Sequence, residues 1–285
     1  MFPWLDRYRH LAQSPKRRFS CTGCTGVFTD SARPFTIHQA SLSLGGTMNR
    51  IFESLLATIV FAFSPTTAWA QDAVLQDRNG DGSVEVIAFG DSITYGVGDG
   101  YSPDEYVEVI PDLGKPSGYP LRLSSLLGVS VLNSGVPGEG LAEDGSETGV
   151  ERFPGVVLGS DADVVIIAEG TNDAQRLVPN DVFVPALQKM INVARASGRQ
   201  VVLSTLASPI ALRSQYAPFT QNISNLIRDV AVINSLPLVD IEKLFQDGCP
   251  VYDDCQYYNR PEGLHPNTVG YDAIAAGMAG VLQGG

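Results

Sequence analysis

Residues 84–96 read VEVIAFGDSITYG. Val84 to Phe89 is a short run rich in β-branched and apolar residues, stopped by Gly90, and a tight turn carrying Ser92 follows between Gly90 and Gly96. The same kind of run recurs at Val129 to Leu132, Val164 to Ala168, Val201 to Leu203 and Leu236 to Val239. These runs lack the polar alternation of a half-exposed strand, so each is expected to be buried on both faces, as in a parallel sheet. Helical periodicity fills the gaps, at about residues 119–127, 181–196, 219–234 and 269–282. Strands alternating with helices predict an α/β fold, a three-layer α/β/α sandwich around a mostly parallel five-stranded sheet.

Upstream of this region the composition changes. From Met48 the chain reads MNRIFESLLATIVFAFSPTTAWAQDA, with Arg50 near its start, an apolar run from Leu55 to Phe63 and Ala68-Trp69-Ala70 closing it. This is the pattern of a secretory signal peptide over residues 48–70. The apolar run falls well short of the roughly 20 residues that span a bilayer. A signal beginning at position 48 leaves residues 1–47 anomalous. They read as a mis-assigned leader, with a genuine N-terminal extension as the alternative. Cleavage after Ala70 would leave residues 71–285 as a single domain, which no internal repeat or low-complexity linker divides, bound for the periplasm or the exterior.

Residues 71–285 carry 12 basic and 28 acidic side chains. Such an excess of negative charge argues against nucleic acid and anionic membrane surfaces as partners. Cys21 and Cys24 form a C-x-x-C within the leader, but no second pair accompanies them as a zinc site requires. Cys249 and Cys255, six apart in CPVYDDC, are expected to form a local disulfide before the C-terminal loop. The segment DRNGDGSVE places Asp77, Asn79, Asp81 and Gly82 like the first half of a calcium loop. Its twelfth position is Ala88 rather than a bidentate glutamate, so an Asx turn is the preferred reading. The glycines of YGVGDG (residues 95–100) mimic half of a dinucleotide fingerprint, but an acidic, proline-containing loop follows where a helix should open.

Four segments carry chemistry: FGDSITYG with Ser92, NSGVPGEG with Asn133, Gly135 and Gly138, EGTNDA with Asn172 and Asp173, and EGLHPN with Glu262, His265 and Asn267. The first three follow strands and the last lies in the final loop, so the topology gathers them at one end of the sheet. Acyl transfer through a hydroxyl needs a base for its proton and donors for the developing oxyanion. His10 and His38 belong to the leader, which makes His265 the sole imidazole of residues 71–285. Asp91 and Asp173 read as carboxylates that brace their loops. Two acidic loops, GDGYSPDEYVEVIPD (98–112) and GEGLAEDGSE (138–147), are placed on the rim of the crevice.

Taken in order, these segments resemble the blocks of the SGNH, or GDSL-type, hydrolases. The resemblance implies a serine esterase with Ser92 as nucleophile and His265 as base. It also implies an oxyanion hole built from the Ser92 and Gly138 N–H groups and the Asn172 side chain. The family's acid usually stands three residues before the histidine as an aspartate; here that position is Glu262. The alternative for Glu262 is a solvent-facing loop carboxylate. The expected substrate is a small-molecule or carbohydrate acyl ester, and no metal or organic cofactor is implied. Short-chain acyl or aryl esters lead, followed by carbohydrate O-acetyl groups, and a non-catalytic sugar- or peptide-binding module is the reading from a different class.

Overall fold

A computed structural model describes residues 74–107, 117–142, 148–249, 251 and 254–284. The leader, the signal-peptide segment, Cys21, Cys24 and parts of both acidic loops lie outside the described residues. Five strands form the central sheet: β1 (Glu85–Gly90), β3 (Ser130–Gly135), β4 (Val164–Ala168), β5 (Gln200–Ser204) and β6 (Leu238–Val239). Their order is β3-β1-β4-β5-β6 and every pairing is parallel. A separate two-residue pair, β2 (Tyr106–Val107) with β7 (Arg260–Pro261), was not legible in the sequence.

The unbroken apolar runs have a direct cause. Along β1, Ile87 and Phe89 point into one core while Val86 and Ala88 point into the other, and β4 and β5 divide in the same way. Ile87 and Phe89 pack with α3 (Gly149–Leu158), α5 (Asn180–Ala196) and α6 (Ala217–Asn234), through Phe153, Leu187 and Ile227 among others. The opposite face is covered by α2 (Gly118–Leu127), α7 (Ile241–Gly248) and α8 (Thr268–Leu282), through Leu123, Phe245 and Ile274. Fully burying a side chain of this size is worth about 1.5–3 kcal/mol, so a strand with two apolar faces is stabilised from both sides. The three-layer expectation holds, with a sheet that is parallel throughout.

Besides two helices of four and six residues that carry site residues, α3 and α7 escaped the sequence reading. Pro154-Gly155 inside α3 looks like a turn signal, yet Phe153 and Val157 are fully buried and Phe153 meets Phe89 edge-on at 5.0 Å. That packing overrides the hydrogen bond lost at the proline. Helix α7 is only eight residues long and starts where the Asp240 side chain accepts from the Lys243 N–H. The Asp77–Ser83 loop closes on itself: Asp77 accepts from the N–H groups of Gly80 and Gly82, and Asp81 from that of Ser83. Buried Asp163 anchors it through the Arg78 and Glu85 N–H groups. Among the described residues no group of acidic, histidine or cysteine side chains is arranged to hold a metal ion.

The C-terminal loop is positioned by two asparagines. Asn267 caps α8 by accepting from the Gly270 N–H, and its amide donates to the carbonyls of Gln256 and Tyr258. Asn267 is completely buried. An Asn267→Ala variant loses the cap and leaves the carbonyls of Gln256 and Tyr258, the latter buried, without their donor. Unfolding in urea should show a loss of at least about 2 kcal/mol. A loss under about 0.5 kcal/mol would mean that the loop is held in another way.

Candidate active site

In a parallel sheet the ligand crevice opens where neighbouring strands lead to opposite sides, outside their C-terminal ends. Here that point is the end of β1, flanked by β3 and β4. Ser92 is the first residue of the four-residue helix α1 (Ser92–Tyr95), and Asp91 caps it by accepting from the Ile93 N–H at 2.8 Å. Gly90 must lack a side chain, because a Cβ would strike Thr94 Oγ1 and come within 2.5 Å of the Ala168 carbonyl. The first N–H of a helix has no intrahelical acceptor, so the Ser92 N–H is left at the crevice.

Ser92 is 8% exposed, and its Oγ lies 3.0 Å from His265 Nε2. On the other side of the ring, His265 Nδ1 lies 3.1 Å from Glu262 Oε1. A carboxylate can only accept, so the ring proton sits on Nδ1 and the Nε2 lone pair faces the serine hydroxyl. Glu262 is 4% exposed, and its Oε2 accepts from the Leu264 and His265 N–H groups, both at 2.8 Å. The solvent-facing alternative for Glu262 is therefore overturned. Burial pushes this carboxyl up, but the His265 side-chain hydrogen bond, the electrostatic attraction of the ring and the two N–H bonds outweigh it and leave it below the usual glutamate range. Arg213 Nε stands 3.8 Å from Oε1.

The other predicted residues converge from β3 and β4. Asn172 lies on α4 (Thr171–Arg176), and its Nδ2 donates to the Glu139 carbonyl at 2.7 Å. Gly138 adopts φ +81° and its carbonyl accepts from Arg176. Asp173 accepts from the N–H groups of Leu141 and Ala142, and burial raises its carboxyl above the usual range against those two bonds. Asp91 is likewise raised by burial, to about 6. Both act as the loop braces expected of them. Asn133 donates to the carbonyls of Tyr95 and Ser117.

Several contributors had no sequence signal. Arg152 on α3 grips both carboxylate oxygens of Glu139, at 2.8 and 2.5 Å, while its guanidinium lies 4.0 Å over the Phe89 ring. Asn259 donates to the carbonyls of Gly98, His265 and Pro266, tying the histidine loop to the segment after α1. Two carboxylates of the acidic loops also turn inward rather than toward a rim: Glu139 onto Arg152, and Asp99 onto Arg122 at 2.7 Å. Cys249 and Cys255 are joined as a disulfide, as expected. Among the described residues no helix is long and apolar enough to cross a membrane.

A family model for GDSL-like lipases and acylhydrolases matches residues 88–273, most of the chain. The chain belongs to this family, and it is a carboxylic-ester hydrolase. Solved structures with the same fold include a lipase/acylhydrolase from Enterococcus faecalis, 24% identical with a TM-score of 0.55, covering 70% of this chain and 96% of that one. A lipolytic protein described as putative, of the G-D-S-L family, from Desulfitobacterium hafniense is 20% identical (TM-score 0.55; 70% and 99% covered). An acetylxylan esterase from Geobacillus stearothermophilus is 17% identical (TM-score 0.55; 70% and 94% covered). The sequence matches no curated protein.

The hydrogen bonds to Glu262 make a stability prediction with a definite sign. Its folded pKa lies below the ordinary value of 4.5, so its stabilisation is fully present above that value and is lost as pH falls through the folded one. Glu262→Gln removes the titration. Denaturant unfolding followed downward from neutral pH should show a shallower loss of stability below about pH 4.5 in the variant than in wild type. Identical acid slopes would mean that the carboxylate is not specially stabilised.

Proposed function

We propose that this protein is an exported serine esterase in which Ser92 attacks the acyl carbon of a short-chain acyl or aryl ester. The observation that carries the proposal is the continuous relay from Ser92 Oγ through His265 to Glu262, with separations of 3.0 and 3.1 Å. As the Ser92 oxygen bonds to the acyl carbon, its proton passes to His265 Nε2. Glu262 holds the tautomer and stabilises the imidazolium. Collapse of the tetrahedral intermediate expels the alcohol, which takes that proton. Water, activated by the same nitrogen, then releases the acid and restores Ser92.

The oxyanion would rest on the Ser92 and Gly138 N–H groups and on Asn172. An asparagine amide carries two N–H donors. One is fixed on the Glu139 carbonyl, which orients the group and leaves the other for the substrate. Export is supported by the signal-peptide pattern of residues 48–70 and by the Cys249–Cys255 disulfide, a bond favoured in oxidising compartments. Carbohydrate O-deacetylation on the same residues is the second reading; the acetylxylan esterase and a carbohydrate acetylesterase from Sinorhizobium meliloti share the fold.

Kinetics test the roles. Ser92→Ala should abolish turnover of p-nitrophenyl acetate with the fold intact, and residual activity above a few per cent would remove Ser92 as nucleophile. Asn172→Ala should lower kcat by roughly 10²- to 10³-fold, the usual effect of deleting one oxyanion donor; a change confined to KM would make it a binding residue. Glu262→Ala should retain more kcat than His265→Ala, and the double variant should be no worse than His265→Ala alone, because parts of one catalytic unit are not additive. An acyl-chain series run beside acetylated xylan separates the two substrate readings: the preferred class should have the higher kcat/KM.

A further inference from the structure

Beneath the oxyanion loop lies a carboxylic acid that the mechanism above does not use. Glu169 sits between the end of β4 and Gly170, three residues before Asn172, and is 1% exposed. Among the described residues, neither of its oxygens has a hydrogen-bond donor. The groups gathered around it are acids: Asp91 from the β1–α1 turn, Glu139 from the loop after β3, and Asp173 from α4. Of these, Glu139 has its side chain within hydrogen-bonding reach of that of Glu169, although with both ionised neither has a proton to give. A charge on Glu169 would also act on Tyr119 of α2, whose hydroxyl is paired with Thr94.

Two ionised carboxylates cannot hydrogen-bond each other, since neither has a proton to give, and sharing a dry site forces one of them to stay neutral. Arg152 decides which. Its guanidinium binds both oxygens of Glu139, so Glu139 keeps the charge and Glu169 keeps the proton.

We propose that Glu169 is a neutral acid in the working enzyme and that its O–H donates to the Glu139 carboxylate, latching the end of β4 to the loop that carries Gly138. Glu169 is then a positioning residue for the oxyanion hole. Glu139 is held through its carboxylate by Arg152 and Glu169, and through its carbonyl by Asn172. The latch thus sets the spacing between the Gly138 N–H and the Asn172 amide, two of the three donors assigned above, and to that extent it rests on the proposed mechanism. Burial foremost, and then the charges of Asp91 and Glu139, push the Glu169 carboxyl well above the usual range. Once it ionises, its charge faces Asp91, Glu139 and Asp173, whose cations are Arg152, bound to Glu139, and Arg176, which acts on Asp173. The bond is lost and the loop loosens, so kcat falls at alkaline pH while KM for a neutral ester stays nearly constant.

The test combines one titration and two variants. In wild-type protein labelled with [δ-13C]glutamate, NMR at pH 7 should show one glutamate carboxyl in the protonated range, titrating only on the alkaline side, and Glu169→Gln should remove that resonance. Glu169→Met, of similar size but without a donor, should lower kcat for p-nitrophenyl acetate by roughly 10- to 100-fold at every pH, as a misplaced catalytic donor does, with KM changed less than about twofold. Glu169→Gln donates through its amide at any pH. It should restore most of the kcat lost in the Met variant and abolish the alkaline fall in kcat. Absence of a neutral glutamate carboxyl at pH 7, its persistence in Glu169→Gln, or a wild-type alkaline fall in that variant would each overturn the latch. Should Glu169→Met fail to fold, the titration and the Gln variant still decide. The resonance is independent of Ser92→Ala activity, so a failed nucleophile assignment and a failed latch give different results.

Discussion

Everything at the crevice depends on how closely three strand ends approach one another. A Cβ on Gly90 would strike Thr94 and crowd the Ala168 carbonyl, and a Cβ on Gly135 would strike the Tyr95 backbone. With both side chains absent, the turn after β1 fits between the ends of β3 and β4, and the Val136 N–H reaches the Gly90 carbonyl at 2.9 Å. That close fit brings the segments carrying Ser92, Gly138 and Asn172 to the ends of three neighbouring strands. It also makes the interior polar, because Asp91, Glu139, Glu169 and Asp173 are all buried there.

The protein's acidity looks different once the side chains are placed. Net charge alone suggests a surface field around the substrate, yet some of the carboxylates nearest the crevice are internal. Three of them have a specific partner: Glu139 holds Arg152, Asp99 holds Arg122, and Asp173 holds two backbone N–H groups. Arginine suits this task because its planar fork can bind both oxygens of a carboxylate and its face can lie over a ring, as Arg152 does above Phe89. Arg122 and Arg152 are thus committed to carboxylates of the crevice loops, where a lysine could not match the two-pronged geometry.

How much of this was legible follows from the range of each interaction. The strands could be read because burial on two faces leaves a continuous apolar run, and the four site segments because tight turns demand glycine and a hydroxyl, amide or imidazole at fixed places. Helix α3 was not, since Pro154-Gly155 signals a break that only the Phe89–Phe153 contact overrules. The role of Glu262 stayed open because its burial depends on the turn at Gly263, where φ is +77° and the carbonyl accepts from the Ile210 N–H. Glu139 and Glu169 lie 30 residues apart in sequence and read as two unremarkable charges. Nothing local marks either as buried, and the arginine that sorts their charges comes from a third element.

Ser92 and His265 are 173 positions apart, and the loops carrying them are stitched together by Asn259, whose amide bridges the Gly98 carbonyl and those of His265 and Pro266. The proposed nucleophile thus follows β1, the first strand of the central sheet, and its proposed base sits in the loop before α8. A growing or unfolded polypeptide carries the serine without the imidazole. On the proposed assignment, hydrolytic power arises only when the final segment has docked, so a chain still being made is harmless to the esters around it.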